Sequence, residues 1–157
     1  MDINDSSLIL TKLRPPAIRA RAVQRIRLLK RLQMLPETDL TLVCAPAGYG
    51  KTTLLVDWSA RLREDGVVIA WYSLDESDNH AGTFAAYLVA GLRQALGTGS
   101  RLDALSQVLR ASPEVELTQV LAGVVNVVQE SGNEVALVLD DYHLIRNEAI
   151  HQAISLL

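Results

Sequence analysis

A strand-length apolar run, Leu40 to Cys44, leads straight into Ala45-Pro46-Ala47-Gly48-Tyr49-Gly50-Lys51-Thr52. A segment whose apolar residues Leu54, Leu55, Trp58 and Leu62 recur at helical spacing follows, starting near Lys51. Gly48 and Gly50 let a backbone curl so that successive N–H groups turn inward, and a helix opening at Lys51 adds the positive end of its dipole. This nearly satisfies the phosphate-binding pattern G-x-x-x-x-G-K-[ST], with Ala45 where the first glycine would stand, a change that costs something only if that position needs positive φ. In such a loop Lys51 reaches the β- and γ-phosphates and the Thr52 hydroxyl ligates Mg²⁺.

The rest of the chain supplies a scaffold for that loop. Val67 to Tyr72 and Val135 to Leu139 read as two further strands. Helices are expected where Val23, Ile26, Leu29 and Leu32 repeat before Pro36, over about residues 81 to 96 and 101 to 110, from Ser112-Pro113-Glu114 to Gln129, and from about 147 to the end. Gly66 is a plausible cap for the helix that starts at Lys51. Strands alternating with helices indicate an α/β domain with a parallel sheet, whose ligands bind beyond the carboxyl ends of the strands.

Composition narrows the class. The 157 residues are 49% hydrophobic with a formal charge of −3, which suits one soluble globular domain and excludes disorder. The apolar runs are far shorter than the roughly 20 residues that span a bilayer, and Met1 to Asp5 do not resemble a signal peptide, so a cytoplasmic location without membrane contact is expected. One cysteine excludes an internal disulfide, and Leu42 and Val43 beside Cys44 suggest a small buried residue. Residues 12 to 31 carry eight bases and no acid, whereas residues 32 to 157 carry seven bases and 16 acids. A basic arm of this kind either meets nucleic acid or phosphate or folds back onto the acidic body, and its lack of interleaved aromatics weakens the nucleic-acid reading.

A second chemical signal is Asp140-Asp141 at the carboxyl end of the last strand. Beside a phosphate loop, Asp140 suits a Mg²⁺ position and Asp141 suits a base that orients or deprotonates water. Asp75, Glu76 and Asp78 follow the preceding strand on the same rim and read as a solvated helix-capping loop. His143 reads as a surface or core histidine, His80 and His151 lack metal-ligand spacing, and Trp58 and Trp71 read as packing residues.

Taken together, Leu10-Thr11-Lys12-Leu13 with Pro15-Pro16, Val23 to Leu29, Ala45 to Leu55, Trp71-Tyr72-Ser73-Leu74-Asp75-Glu76 with Asp78-Asn79, and Leu137 to Ile145 resemble a known family. It is the N-terminal nucleotide-binding domain of the large ATP-dependent LuxR-type (MalT-like) transcriptional regulators, which are STAND-class, AAA-like P-loop NTPases. The resemblance covers most of residues 8 to 157 and includes alanine at the first loop position. It implies a three-layer α/β/α fold and a switch that holds ADP at rest, exchanges it for ATP and then self-associates. Transcription is activated through a C-terminal DNA-binding module that these 157 residues do not include. By the same resemblance, Ala47, Gly48, Tyr49, Gly50, Lys51, Thr52 and Thr53 form the Walker A loop, Asp140 and Asp141 the Walker B end, and Val23 and Arg25 line the adenine end. Lys51 and Asp141 would serve any catalysis, and Thr52 and Asp140 would hold the metal.

The expected organisation is a basic arm and helix over residues 1–35 and a P-loop core over 36–157, with three core strands and the family's sensor strand missing. In such folds that strand lies between the first and third. Expected activity is ATP hydrolysis that is slow at most. The competing readings are a free-standing small P-loop NTPase or kinase, and a truncated remnant without activity.

Overall fold

The computed structural model describes residues 8–18, 25–33, 40–97, 99–111 and 116–155. Eight regular elements account for most of them: α1 (Ile26–Gln33), α2 (Lys51–Glu64), β1 (Val68–Ser73), α3 (Ala81–Leu96), α4 (Ser100–Ala111), α5 (Leu117–Ser131), β2 (Val135–Asp140) and α6 (Glu148–Ile154). Short 3-10 turns occupy Leu10–Leu13, Glu76–Asn79 and Tyr142–Leu144.

β1 and β2 pair in parallel, with Val68 opposite Val135 at one end and Ser73 opposite Asp140 at the other. Parallel strands need a long crossover, and α3, α4 and α5 supply it. Ile69, Ala70, Trp71 and Tyr72 are all buried, so β1 is covered on both faces. Phe84, Leu88 and Leu92 of α3 recur four residues apart and pack with Tyr72, Leu102, Leu121 and Ile150 into one core. Tyr72 stacks on Tyr87 with ring centroids 5.3 Å apart. The N-terminal turn joins this core through Leu13, and the Ile9 amide donates to the Tyr87 hydroxyl at 3.1 Å.

Local chemistry fixes the ends of the elements. α2 closes with Gly66 at φ +91°, where the Val67 amide donates to Leu62 and the Gly66 amide to Arg63. That double bond needs a left-handed residue, which glycine adopts without a Cβ penalty. α5 starts at Leu117, with Glu116 preceding it. The expected start at Ser112-Pro113-Glu114 falls outside the described residues. α6 starts where the Asn147 side chain accepts from the Ala149 amide at 2.9 Å.

One expected strand is corrected. Leu40 to Cys44 is not a strand: Leu40 is 76% and Leu42 74% exposed, and Cys44 is exposed rather than buried. An extended segment is held by ladder hydrogen bonds, and among the described residues β1 and β2 pair only with each other. With no neighbour in register, the apolar run stays in coil, and Val135 to Leu139 remain only half-buried. The described sheet has two strands where three were expected.

Candidate functional site

The phosphate-loop sequence forms a tight turn that opens directly into α2. Gly48 and Gly50 sit at φ +79° and +72°, the left-handed region, and Gly50 immediately precedes Lys51, the first helical residue. A Cβ at Gly48 would meet nothing within 4 Å, so conformation rather than crowding selects glycine there. No side chain caps the helix start, which leaves its first N–H groups turned toward the loop. The Lys51 ammonium folds back and donates to the carbonyl oxygens of Ala45 at 2.8 Å and Pro46 at 3.3 Å.

The two motifs meet across 88 residues of chain. The Thr52 hydroxyl donates to Asp140 Oδ1 at 3.1 Å, and the Asp141 amide donates to the same oxygen at 3.1 Å. Asp140 is 5% exposed, and burial, opposed by the Thr52 hydrogen bond, pushes its carboxyl above the usual range. Asp140 forms no ion pair among the described residues. A hydroxyl and a carboxylate set side by side at the start of a helix form an oxygen donor pair suited to a hard divalent cation, so these two residues fit Mg²⁺.

Arg25 reaches the loop from the start of α1. Its guanidinium lies 3.5 Å from where a Gly50 Cβ would stand, which brings the start of α1 to the glycine loop. Asp141 is exposed and is the non-glycine residue with positive φ, +59°, among the described residues. His143 Nδ1 stands 3.8 Å from its carboxylate, and His143 is exposed, as a surface histidine would be. Tyr49 projects to solvent at 59% exposure, Ala47 is exposed, and Thr53 is half-buried in the first turn of α2. Val23 lies outside the described residues.

The loop after β1 departs from its sequence reading. Asp75 does cap the turn that follows, but Asp78 is fully buried rather than solvated. Asp78 Oδ2 accepts from the Lys12 ammonium at 2.5 Å and from the Asp75 amide at 2.7 Å, and Lys12 also pairs with Asp75 at 3.0 Å. The Lys12 ammonium stands 4.5 Å from the Tyr87 ring centroid. Asp78 Oδ1 and the Tyr72 hydroxyl are buried without hydrogen-bond partners among the described residues, and burial first, then the neighbouring Asp78 carboxylate, keeps that hydroxyl protonated. At this point the basic arm folds back onto the body.

Lys12 and Asn79 entered the sequence reading as members of resembling segments and Lys12 as one charge among eight, but neither was given a role there. The available signals were Lys12 between the apolar Leu10 and Leu13, and the three-residue spacing of Asp75 and Asp78 that suits a capping box. Trp71 packs as expected, 1% exposed, with its indole N–H donating to Ser73 Oγ at 2.8 Å, while Trp58 is half-buried. Among the described residues no cluster of histidine, cysteine or acidic side chains forms a metal site, and no helix is long and apolar enough to cross a membrane.

No protein-family model matches the chain. Curated relatives do. The chain is 41% identical over 146 residues to the HTH-type transcriptional regulator MalT of Yersinia enterocolitica serotype O:8 / biotype 1B. It is 42% identical over 147 residues to the MalT regulators of Yersinia pestis (strain Pestoides F) and Yersinia pseudotuberculosis serotype O:1b. Each match covers 93% of the chain and 16% of the relative, so the chain spans about a sixth of the length of these regulators. With about two residues in five identical along nearly its whole length, the chain is a MalT-like regulator region, similar to one part of these HTH-type transcriptional regulators.

Proposed function

We propose that the chain is the nucleotide-binding switch region of a MalT-like regulator, taking ADP or ATP with Mg²⁺ and hydrolysing ATP slowly at most. The observation that carries this reading is the 3.1 Å contact between Thr52 and Asp140, which joins the glycine loop to the carboxylate end of β2. In this reading residues 36–157 form the core of a three-layer P-loop domain and residues 1–35 an arm that completes its nucleotide end. A further strand beside Leu40 to Cys44 would give that segment the neighbour it lacks.

The amides from Gly48 to Thr53 would surround the terminal phosphates, with Ala47 and Tyr49 shaping the turn. Lys51, whose partners are exposed loop carbonyls, would exchange them for phosphate oxygens. Thr52 and Asp140 would hold Mg²⁺, which when bound neutralises phosphate charge. Asp141 would accept a proton from water at the rim. Arg25, already against Gly50, and Val23 would line the adenine side. The relatives' printed name describes HTH-type transcriptional regulators, and DNA binding by a whole protein of this kind would belong to a module outside these 157 residues. Such a regulator would work in the cytoplasm, with nucleotide-dependent self-association.

Calorimetric titration with ADP and ATP, with and without Mg²⁺, tests the reading. Adenine-nucleotide binding that strengthens with Mg²⁺ and is lost in Lys51→Ala is the expected result. A folded chain that takes up no nucleotide would overturn it.

A further inference from the structure

The loop after β1 is fastened on two sides, and each fastening reaches a different part of the molecule. On one side Lys12 is held by Asp78 and Asp75, 66 and 63 residues away in sequence. Leu13 is buried beside it, and Ile9 is tied to Tyr87. On the other side Asn79 spends every polar atom of its side chain on the backbone. Its Oδ1 accepts from the amides of Arg146 at 2.6 Å and Asn147 at 3.2 Å, and its Nδ2 donates to the carbonyls of Leu144 at 3.0 Å and Glu76 at 3.1 Å. The Asn147 side chain returns a bond to the Asn79 carbonyl at 2.8 Å. Between the two fastenings, the Leu74 amide donates to the carbonyl of Asp140 itself at 3.0 Å.

We propose that the loop Asp75–Asn79 is a two-sided clamp that ties the N-terminal turn Leu10–Leu13 to the segment Tyr142–Asn147 following Asp140 and Asp141, with Lys12 and Asn79 as its positioning residues. The turn at Glu76–Asn79 is short and capped by its own side chains, so it transmits displacement rather than absorbing it. Among the described residues Lys12 is the buried cation paired with Asp78, so withdrawal of the turn leaves a buried carboxylate uncompensated and the loop must move. Movement of the loop loosens Leu144 to Asn147 through Asn79, and shifts Asp140 through Leu74. The N-terminal segment therefore reports on the site from two directions, at Gly50 through Arg25 and at the carboxylate end through Lys12. The role of the far end as a nucleotide site rests on the proposed function, whereas the clamp itself does not.

Amide hydrogen exchange on the chain without nucleotide reads the clamp directly. Lys12→Met is paired with the double variant Lys12→Met/Asp78→Asn, which removes both charges while keeping an acceptor for the Asp75 amide and so guards against loss of the fold. Exchange at Leu144 to Asn147 is expected to quicken by about tenfold in the double variant, and exchange at Lys12 and Leu13 is expected to quicken in Asn79→Ala. Asn79→Asp, which keeps the acceptor but not the donor, falls between. Faster exchange confined to the side of the loop that was altered would overturn the proposal, because a purely local packing role predicts that pattern. The Mg²⁺ dependence of ADP affinity in the same variants separates the two readings. An unmodified chain that binds no ADP sinks the nucleotide reading alone, and an unmodified chain that binds ADP with a Mg²⁺ response untouched by the double variant sinks the positioning role.

Discussion

Two carboxylate groupings lie at neighbouring strand ends, and the chain treats them in opposite ways. At the end of β1, Asp75 and Asp78 face a cation supplied by the chain, Lys12, and the Lys12–Asp78 pair is buried while Asp75 stays open to solvent. At the end of β2, Asp140 receives a hydroxyl and an amide and, among the described residues, no cation, while Lys51, at the start of α2, turns to carbonyl oxygens. The ionisation behaviour follows. Asp75 is held below the usual carboxylate range, chiefly by the Ser77 hydroxyl and then by Lys12, whereas Asp140 is pushed above it by burial. A carboxylate supplied with its counter-charge stabilises the fold. One buried without a counter-charge costs the fold stability, and in the proposed reading a bound Mg²⁺ would supply that charge.

The largest expected effect breaks the first grouping. Lys12→Met strands the Asp78 carboxylate, and removing one partner of a buried pair costs about 3–5 kcal/mol of stability, which a urea melt measures. Lys51→Ala breaks the second grouping and should do the reverse. Loss of a hydrogen bond to a charged group costs about 1.5–3 kcal/mol of triphosphate binding, read by calorimetry, with the melt nearly unchanged because the Lys51 hydrogen bonds go to carbonyls of the exposed Ala45 and Pro46. Equal losses of stability in the two variants would erase the contrast.

Gly50→Ala tests whether the loop is set by conformation. At φ +72° a Cβ costs roughly 1–2 kcal/mol, and phosphate affinity should fall with it.

The smallest effect is one of sign. Because the folded value of Asp140 is raised, its charged form opposes folding at neutral pH, and this opposition fades as pH falls through that raised value. Asp140→Asn should therefore melt above the unmodified chain at pH 7, and the gap should narrow on acidification. Asp75 behaves oppositely. Its contribution is complete above the unfolded value of about 3.9 and disappears as pH falls through its lowered folded value, so Asp75→Asn should be less stable at pH 7 and converge only in strong acid. Parallel pH profiles for the two variants would remove the distinction.

The second grouping was legible in the sequence, and the first was largely hidden. Gly48, Gly50, Lys51, Thr52 and Asp140 announce themselves because phosphate and cation chemistry demands particular residue types at particular spacings next to a strand. The pairing of Lys12 with Asp78 depends on a turn crossing over β1, and no spacing rule encodes a contact between residues 66 positions apart. The same limit explains Leu40 to Cys44. Its composition favours a strand, but strand formation is a property of two partners, and propensity cannot say whether the second is present. Asn79 was obscured for a different reason: its partners are backbone groups of Leu144, Arg146 and Asn147, which carry no side-chain signature.

The bare flank of β2 has a practical consequence for handling the chain. Among the described residues Val135 to Leu139 pair with β1 alone, and Leu40 and Leu42, in a strand-like segment that pairs with neither strand, are exposed. An exposed template and an unclaimed strand within one molecule invite exchange between molecules. The solubility of this chain should therefore fall with concentration well before its melting temperature does, and a charged substitution at Leu42 should restore solubility without touching the core.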